Sequence, residues 1–224
     1  MFRAMILAVA LLASLPAAAQ QEQQALVDRA TLAVQELMTT GDGVQDAQAY
    51  LRRARAVMVC PRVFRAGFIL GGEGGSCLLV GRDGAGSWSS PAFYTLGSGS
   101  FGLQIGIQDA MVMMMIMTDR GLQAVMDSQF KVGADAALSL ATIGGSVQGA
   151  TTAAAGADII AIARARGLFA GISLQGSILS YEPRSAQAYY GREYSARQVV
   201  VAMEAHNPGS DPLRAMLLRF GSAN

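Results

Sequence analysis

The sequence is poor in the residues that most enzyme active sites and metal centres use. Its 224 residues include one histidine and two cysteines, and only 15% are charged. A nucleophile–histidine relay would have to use His206, and no G-x-S-x-G segment accompanies it. Catalytic zinc normally takes several histidine or cysteine ligands, and the acidic residues are scattered singly. We therefore expect a protein that is not an enzyme, with no metal and no cofactor.

The sequence also lacks an apolar run long enough to span a membrane, although a shorter one lies near its start. Arg3 is followed by an uncharged apolar stretch over residues 5–15 and then by Ala17-Ala18-Ala19. This order is typical of a secretory signal peptide, and the run is shorter than the ~20 residues of a membrane anchor. We expect cleavage after Ala19, giving residues 20–224 as a single domain. The product would be exported, periplasmic or secreted, and soluble or peripherally membrane-associated.

Net charge is too small to favour nucleic-acid binding. The chain has 17 basic and 16 acidic residues, and loss of Arg3 with the signal peptide would leave a net charge of zero. Nucleic-acid binding needs a basic footprint, so we exclude it. The charge is nevertheless uneven, because five arginines and no acid lie between Asp46 and Glu73. These arginines are Arg52, Arg53, Arg55, Arg62 and Arg65.

The arginine-rich segment 52–65 has two interpretations. In the first, it is a solvated helix face followed by turn residues. In the second, it is an anion-facing patch suited to phospholipid headgroups, since each basic residue near an anionic surface contributes ~1 kcal/mol.

Hydrophobic periodicity divides the mature chain into helical and β segments. Apolar residues at helical spacing predict helices over residues 21–38 and about 44–57, and Pro61 is expected to end this helical arm, 21–57. Apolar runs between glycine clusters over residues 67–107 are typical of antiparallel strands and tight turns, with the glycines of 71–75 as a hairpin loop. We predict a β-rich core over 63–191 and terminal helices over 196–220. The predicted class is α+β, an antiparallel β-sandwich or barrel-like sheet with N-terminal helices and a C-terminal helix.

The only cysteines, Cys60 and Cys77, flank the predicted hairpin. In an oxidising compartment they could form a structural disulfide that contributes ~3 kcal/mol. Redox catalysis is the alternative, but the chain has no C-x-x-C segment and no histidine beside either cysteine. We favour the structural disulfide.

Two further patterns have ordinary structural interpretations. Residues 97–102 match G-x-G-x-x-G, but a strand is predicted to follow them, whereas a dinucleotide site needs a helix there. Residues 110–117 contain five methionines, which could bind Cu(I) but more often fill a buried strand.

Several ordered blocks resemble the SYLF lipid-binding domain family. They are AGFILGGEGGSCLLV at 66–80, WSSPAFYTL at 88–96, GSFGLQIG at 99–106 and RGLFAGISLQGSIL at 166–179. The resemblance extends over about 25–220. Because relatives include yeast actin-patch and phosphoinositide-binding proteins, it implies a non-catalytic domain that binds anionic phospholipid or phosphoinositide headgroups at a membrane surface.

The residues suggest how such a domain would bind. We expect the five arginines of 52–65 to attract anionic headgroups, while Phe64 and Phe68 insert shallowly into the bilayer. The alternative is a protein-interaction or scaffold domain, whose partner would be another protein of the cell envelope.

Overall fold

The computed structural model describes residues 15–41, 43–67, 70–101, 106–127, 129–142, 156–167, 174 and 176–222. The helices are α1 (Leu15–Thr39), α2 (Val44–Arg53), α3 (Asp119–Met126), α4 (Pro183–Tyr190), α5 (Ala196–Val200) and α6 (Asp211–Gly221). The strands are β1 (Ala56–Gly67), β2 (Leu70–Gly81), β3 (Ala92–Phe101), β4 (Gly106–Ile116), β5 (Gln129–Lys131), β6 (Leu138–Thr142), β7 (Ile159–Gly167) and β8 (Ile178–Tyr181).

These strands form one eight-stranded sheet in the order β5-β8-β3-β2-β1-β4-β7-β6. Neighbouring strands are antiparallel, except for the parallel pair β6 and β7. The sheet is curled into a half-barrel. The predicted α+β class is therefore confirmed, with the barrel-like sheet as the arrangement that forms.

Apolar residues cover both faces of the sheet. On one face, Val57 and Val59 of β1 join a core that includes residues of α1, α2 and α6. On the other face, Ala56 and Met58 join a second core that includes residues of α3 and α5. Because successive side chains of a strand point to opposite faces, a sheet buried on both sides requires unbroken apolar runs. The methionine-rich run of β4 has this role.

Pro61 lies inside β1, so the predicted boundary between helix and sheet is wrong. Helix α2 ends at Arg53, and Ala56 already pairs with both β2 and β4. Between Val59 and Phe64 the pairing shifts, because β1 has one more residue there than either neighbour. A β-bulge of this kind accommodates proline, which cannot donate a ladder hydrogen bond.

The glycine cluster of 71–75 forms part of β2, whereas we predicted a hairpin loop. Gly71, Gly72 and Gly74 pair with β1 on one side and with β3 on the other. The G-x-G-x-x-G segment likewise places Gly97 and Gly99 inside β3. Backbone groups alone form the ladder, so a strand needs no side chains to be paired on both edges.

Helix α1 is longer than the predicted helix. It begins at Leu15, and residues 1–14 lie outside the described part of the chain. Cleavage after Ala19 would shorten it by its first five residues. Among the described residues, no helix combines the length and apolar character needed to cross a bilayer.

A buried carboxylate joins α3 to the sheet. Asp158 precedes β7 and accepts hydrogen bonds from Thr118 Oγ1 at 2.7 Å, from the Ala137 backbone N–H at 3.1 Å and from Arg120. Its side chain is 3% exposed. The hydrogen bond from Arg120, with that from Thr118, lowers the pKa of Asp158 to about 2. Thr118 also caps α3 by accepting from the Gly121 N–H.

Candidate functional site

The five arginines of segment 52–65 form two separate groups. Arg52 and Arg53 lie in the last turn of α2, and Arg55 directly precedes β1. Arg62 lies in the bulge of β1, and Arg65 lies on the distal half of the strand beyond it. Arg62 follows Arg55 by seven positions along nearly extended chain, which corresponds to about 20 Å. The structure therefore does not bring all five side chains into one patch.

Three of these arginines have acidic partners from other elements. Arg55 lies 3.6 Å from Asp119 of α3, and Arg62 lies 2.7 Å from Asp109 of β4. Arg65 lies 2.8 Å from Glu73 of β2, whose buried carboxylate also accepts from Ser177. The charge of these arginines is thus partly neutralised by acidic residues of α3 and of the neighbouring strands β2 and β4.

The ends of α2 and α6 meet at Arg82. Its Nη1 donates to the Arg52 carbonyl oxygen at 2.6 Å, and its Nη2 donates to the Gly221 carbonyl oxygen at 3.2 Å. The guanidinium also lies 5.5 Å from the centre of the Trp88 ring. Carbonyl groups at a helix C-terminus need such donors. We assign Arg82 to holding the two helix ends together.

A groove lies between α1 and the distal half of β1. Two adjoining cavities of about 490 and 230 Å³ share Arg29, Pro61 and Arg62 in their lining. Val57 and Val59 of β1 face α1, and regular alternation from them would turn Arg62 and Phe64 to the opposite side of the sheet. The extra residue in the bulge reverses the alternation, so Arg62 and Phe64 are on the side that α1 covers.

Two apolar side chains flank this groove. Phe64 of β1 is 41% exposed and Leu32 of α1 is 64% exposed. The Arg62 guanidinium lies 5.8 Å from the centre of the Phe64 ring. The groove thus places apolar and cationic groups side by side at the surface. Phe68, the second predicted insertion residue, lies outside the described residues.

Arg29 is the groove residue that our sequence analysis missed. It projects from α1 into both cavities and also lines a third, smaller one toward α4. Within the described part of the chain, its side chain has no hydrogen bond or ion pair. A signal was present in the sequence, since Glu22, Arg29 and Glu36 recur every seven residues and share one face of a helix.

The tyrosines near the C-terminus have packing roles. The rings of Tyr189 and Tyr190 lie 5.2 and 6.5 Å from that of Phe93, in edge-to-face geometry. Tyr190 also donates its hydroxyl to the Pro91 carbonyl oxygen at 2.8 Å. Burial raises the pKa of both phenols well above the ordinary value.

The composition raises two potential chemical sites, a reactive cysteine and a metal centre. Cys60 and Cys77 are bonded to each other and join β1 to β2, so neither is a free thiol. Among the described residues, no group of three or more His, Cys, Asp or Glu side chains could hold a metal ion.

Comparison with known sequences identifies related proteins. Residues 97–220, more than half of the chain, match a family described as Ysc84: Las17-binding protein actin regulator. The chain is 26% identical over 170 residues to LAS seventeen-binding protein 3 of Saccharomyces cerevisiae, covering 75% of this chain and 37% of that protein. It is 27% identical over 139 residues to the human SH3 domain-containing YSC84-like protein 1, covering 62% of this chain and 41% of that protein. The chain thus spans about two-fifths of the length of these curated relatives.

Proposed function

Because the chain belongs to the Ysc84 family, whose domain is also called SYLF, we propose that it is a non-catalytic domain that binds phospholipid headgroups at an anionic membrane surface. The binding site would be the groove between α1 and β1. The phosphate would lie at the guanidinium groups of Arg29 and Arg62, and Phe64 and Leu32 would enter the bilayer interface.

One observation supports this proposal above the others. Two exposed apolar side chains, Phe64 and Leu32, flank a groove lined by two guanidinium groups. Guanidinium groups form strong charge-assisted hydrogen bonds with phosphate, and adjacent apolar groups add affinity by leaving water at the interface. Arg29 is available for a ligand because, among the described residues, its guanidinium forms no ion pair or hydrogen bond.

The arginines at the other end of β1 would act separately. They lie about 20 Å from the groove, whereas charges in physiological salt are screened over about 8 Å. In this proposal Arg52, Arg53 and Arg55 contribute nonspecific attraction to anionic lipids that come near them, and Arg65 holds Glu73 in place.

Vesicle co-sedimentation of residues 20–224 tests the proposal. We expect binding to phosphatidylglycerol or cardiolipin vesicles that weakens in high salt. An Arg29→Ala/Arg62→Ala variant should bind roughly 30-fold more weakly, at ~1 kcal/mol for each lost charge. The matched control, Arg52→Ala/Arg53→Ala, loses the same charge but should retain more affinity. Equal binding by the groove variant and the native protein would exclude this site.

A protein partner is the second candidate function. One relative is named for binding LAS seventeen, and Leu218 and Val201 are about half exposed outside the groove. We propose a protein of the cell envelope as the partner. Binding that requires one envelope protein, is lost in Leu218→Ser and is insensitive to lipid composition would favour this function.

The proposed location is outside the cytoplasm. The signal-peptide pattern of residues 1–19 supports export, and the disulfide between Cys60 and Cys77 suits an oxidising compartment. Detection of a chain that starts at Gln20 in the periplasm or medium would test it.

A further inference from the structure

The groove has a polar end, between α1 and the start of α4. There a cavity of about 70 Å³ opens beside Arg29, and its lining includes Glu22, Ser76, Thr95, Glu182 and Ser185. It shares Leu26, Arg29 and Ser76 with the larger apolar part of the groove, so the two parts are continuous.

The polar end contains charged groups of both signs. Glu22 and Arg29 are seven residues apart on one face of α1, or about 10 Å along the helix axis. Glu182 belongs to the segment before α4, and Thr95 Oγ1 donates to its Oε1 at 2.9 Å. Two carboxylates and the Arg29 guanidinium therefore line the polar end, and Arg29 also lines the apolar part of the groove. Among the described residues, Arg29 has no ion pair.

We propose that this polar end binds the ammonium group of a phosphoethanolamine headgroup. The inference depends on the proposed function, because it places the phosphate of the same lipid at Arg29. The ammonium would then donate hydrogen bonds to the carboxylates of Glu22 and Glu182. An ammonium has three N–H donors and a carboxylate only acceptors, so the two groups match in both charge and hydrogen bonding.

The same lining selects against other headgroups. A further phosphate, as in a polyphosphoinositide, would face two carboxylates at close range, and juxtaposed like charges oppose binding. Choline has no N–H donor and three additional methyl groups. A primary ammonium can therefore donate to the carboxylates of Glu22 and Glu182, whereas a trimethylammonium cannot.

The test holds surface charge constant while the zwitterionic lipid changes. Vesicles contain a fixed fraction of phosphatidylglycerol, and the remainder is either phosphatidylcholine or phosphatidylethanolamine. We expect native protein to bind the ethanolamine vesicles about fivefold more tightly, as two partly exposed ion pairs allow. The Glu22→Gln/Glu182→Gln variant should lose this increase and still bind phosphatidylglycerol. The control, Glu193→Gln, removes one carboxylate outside the cavity lining and should keep it.

The variants separate recognition from membrane packing. Phosphatidylethanolamine also loosens lipid packing, which would help Phe64 to insert, but that effect would persist in the double glutamine variant. If the double glutamine variant keeps the gain in affinity for ethanolamine vesicles, or if the native protein shows no such gain, this inference is overturned and the proposed function stays intact. Failure to bind any vesicle overturns both. Soluble glycerophosphoethanolamine should bind more weakly than vesicles because it lacks acyl chains, and equal affinity would overturn the assignment to a lipid.

Discussion

Arg62 donates a hydrogen bond to Asp109 Oδ2 over 2.7 Å, linking β1 to β4 next to the bulge. Both side chains remain substantially exposed, so the pair contributes only ~0–1 kcal/mol to stability. Its main effect is on charge, because Asp109 neutralises one of the two guanidinium groups of the groove. In the proposed site, Asp109 would therefore tune ligand binding more than it stabilises the fold.

Replacing Asp109 should strengthen membrane binding. Asp109→Asn leaves Arg62 without its acidic partner, and one additional net charge near an anionic surface is worth ~1 kcal/mol. We expect roughly fivefold tighter binding to phosphatidylglycerol vesicles in a co-sedimentation titration at low salt. Glu193→Gln changes net charge equally, away from the groove, and serves as the control. Equal gains in the two variants would mean that overall charge, and not the groove, determines binding.

Removing the disulfide should lower thermal stability. A cross-link between residues 17 positions apart contributes ~3 kcal/mol in the chain-entropy model, which corresponds to a fall in Tm of roughly 6–12 °C for a domain of this size. Thermal unfolding with and without reductant measures the change. The Cys60→Ala/Cys77→Ala variant should unfold at the lower temperature and show no further response to reductant. A reductant effect of similar size in that variant would contradict the interpretation.

Asp158 should make stability dependent on acid pH. Its pKa is about 2 in the folded protein, below the ordinary 3.8, so the stabilisation is present above about pH 4 and is lost as pH falls toward 2. Asp158→Asn should cost about 1–3 kcal/mol near neutral pH, since three hydrogen-bond donors lose a charged acceptor that is itself buried.

Denaturant unfolding of both proteins from pH 7 to pH 2 tests this. The difference between native protein and Asp158→Asn should shrink steadily below pH 4. Glu193→Gln, which removes an exposed carboxylate, should follow the native curve. A difference that stays constant with pH would show that the carboxylate charge is not responsible.

Gly81 should tolerate no side chain. A Cβ atom there would lie 2.3 Å from the Val200 carbonyl oxygen, whereas a Cβ at Gly99 would meet no atom within 4 Å. Gly81→Ala should therefore destabilise the protein by about 1–3 kcal/mol through overpacking. Gly99→Ala, also in a strand, should be neutral or slightly stabilising. Urea unfolding of the two variants provides the comparison, and similar midpoints would disprove the predicted close contact.

Much of the fold could be predicted because the hydrophobic periodicity and composition of a segment indicate the secondary structure of that same segment. The α1 face with Val34 and Leu37, the β-rich region and the C-terminal helix all follow from patterns within one element. The glycine strands could not be predicted in this way, because what stabilises Gly72 and Gly99 is pairing with other strands. Pro61 was misinterpreted for a similar reason, since only the neighbouring strands show that a bulge accommodates it.

The candidate site was harder to predict than the fold. Counting charges along the chain grouped Arg55 with Arg62, although a strand holds them apart. The same count could not show that Asp109 and Glu73 would neutralise two of the arginines across strand pairs. Arg29 was missed because acidic residues lie near it in the sequence, so it belongs to no basic cluster. It lines the groove only because α1 packs beside β1 in the fold.

The link between Cys60 and Cys77 has a consequence for how β1 and β2 are aligned. Beyond it, the hairpin pairs residues such as Gly67 with Gly71 and Ala66 with Gly72, and pairs with so few side chains specify alignment weakly. The covalent bond lies directly after Val59 and Leu78, the last β1–β2 pair before the bulge, so it prevents the two strands from sliding past each other. The orientation of Arg62 and Phe64 is thereby fixed by a bond that neither residue contributes to.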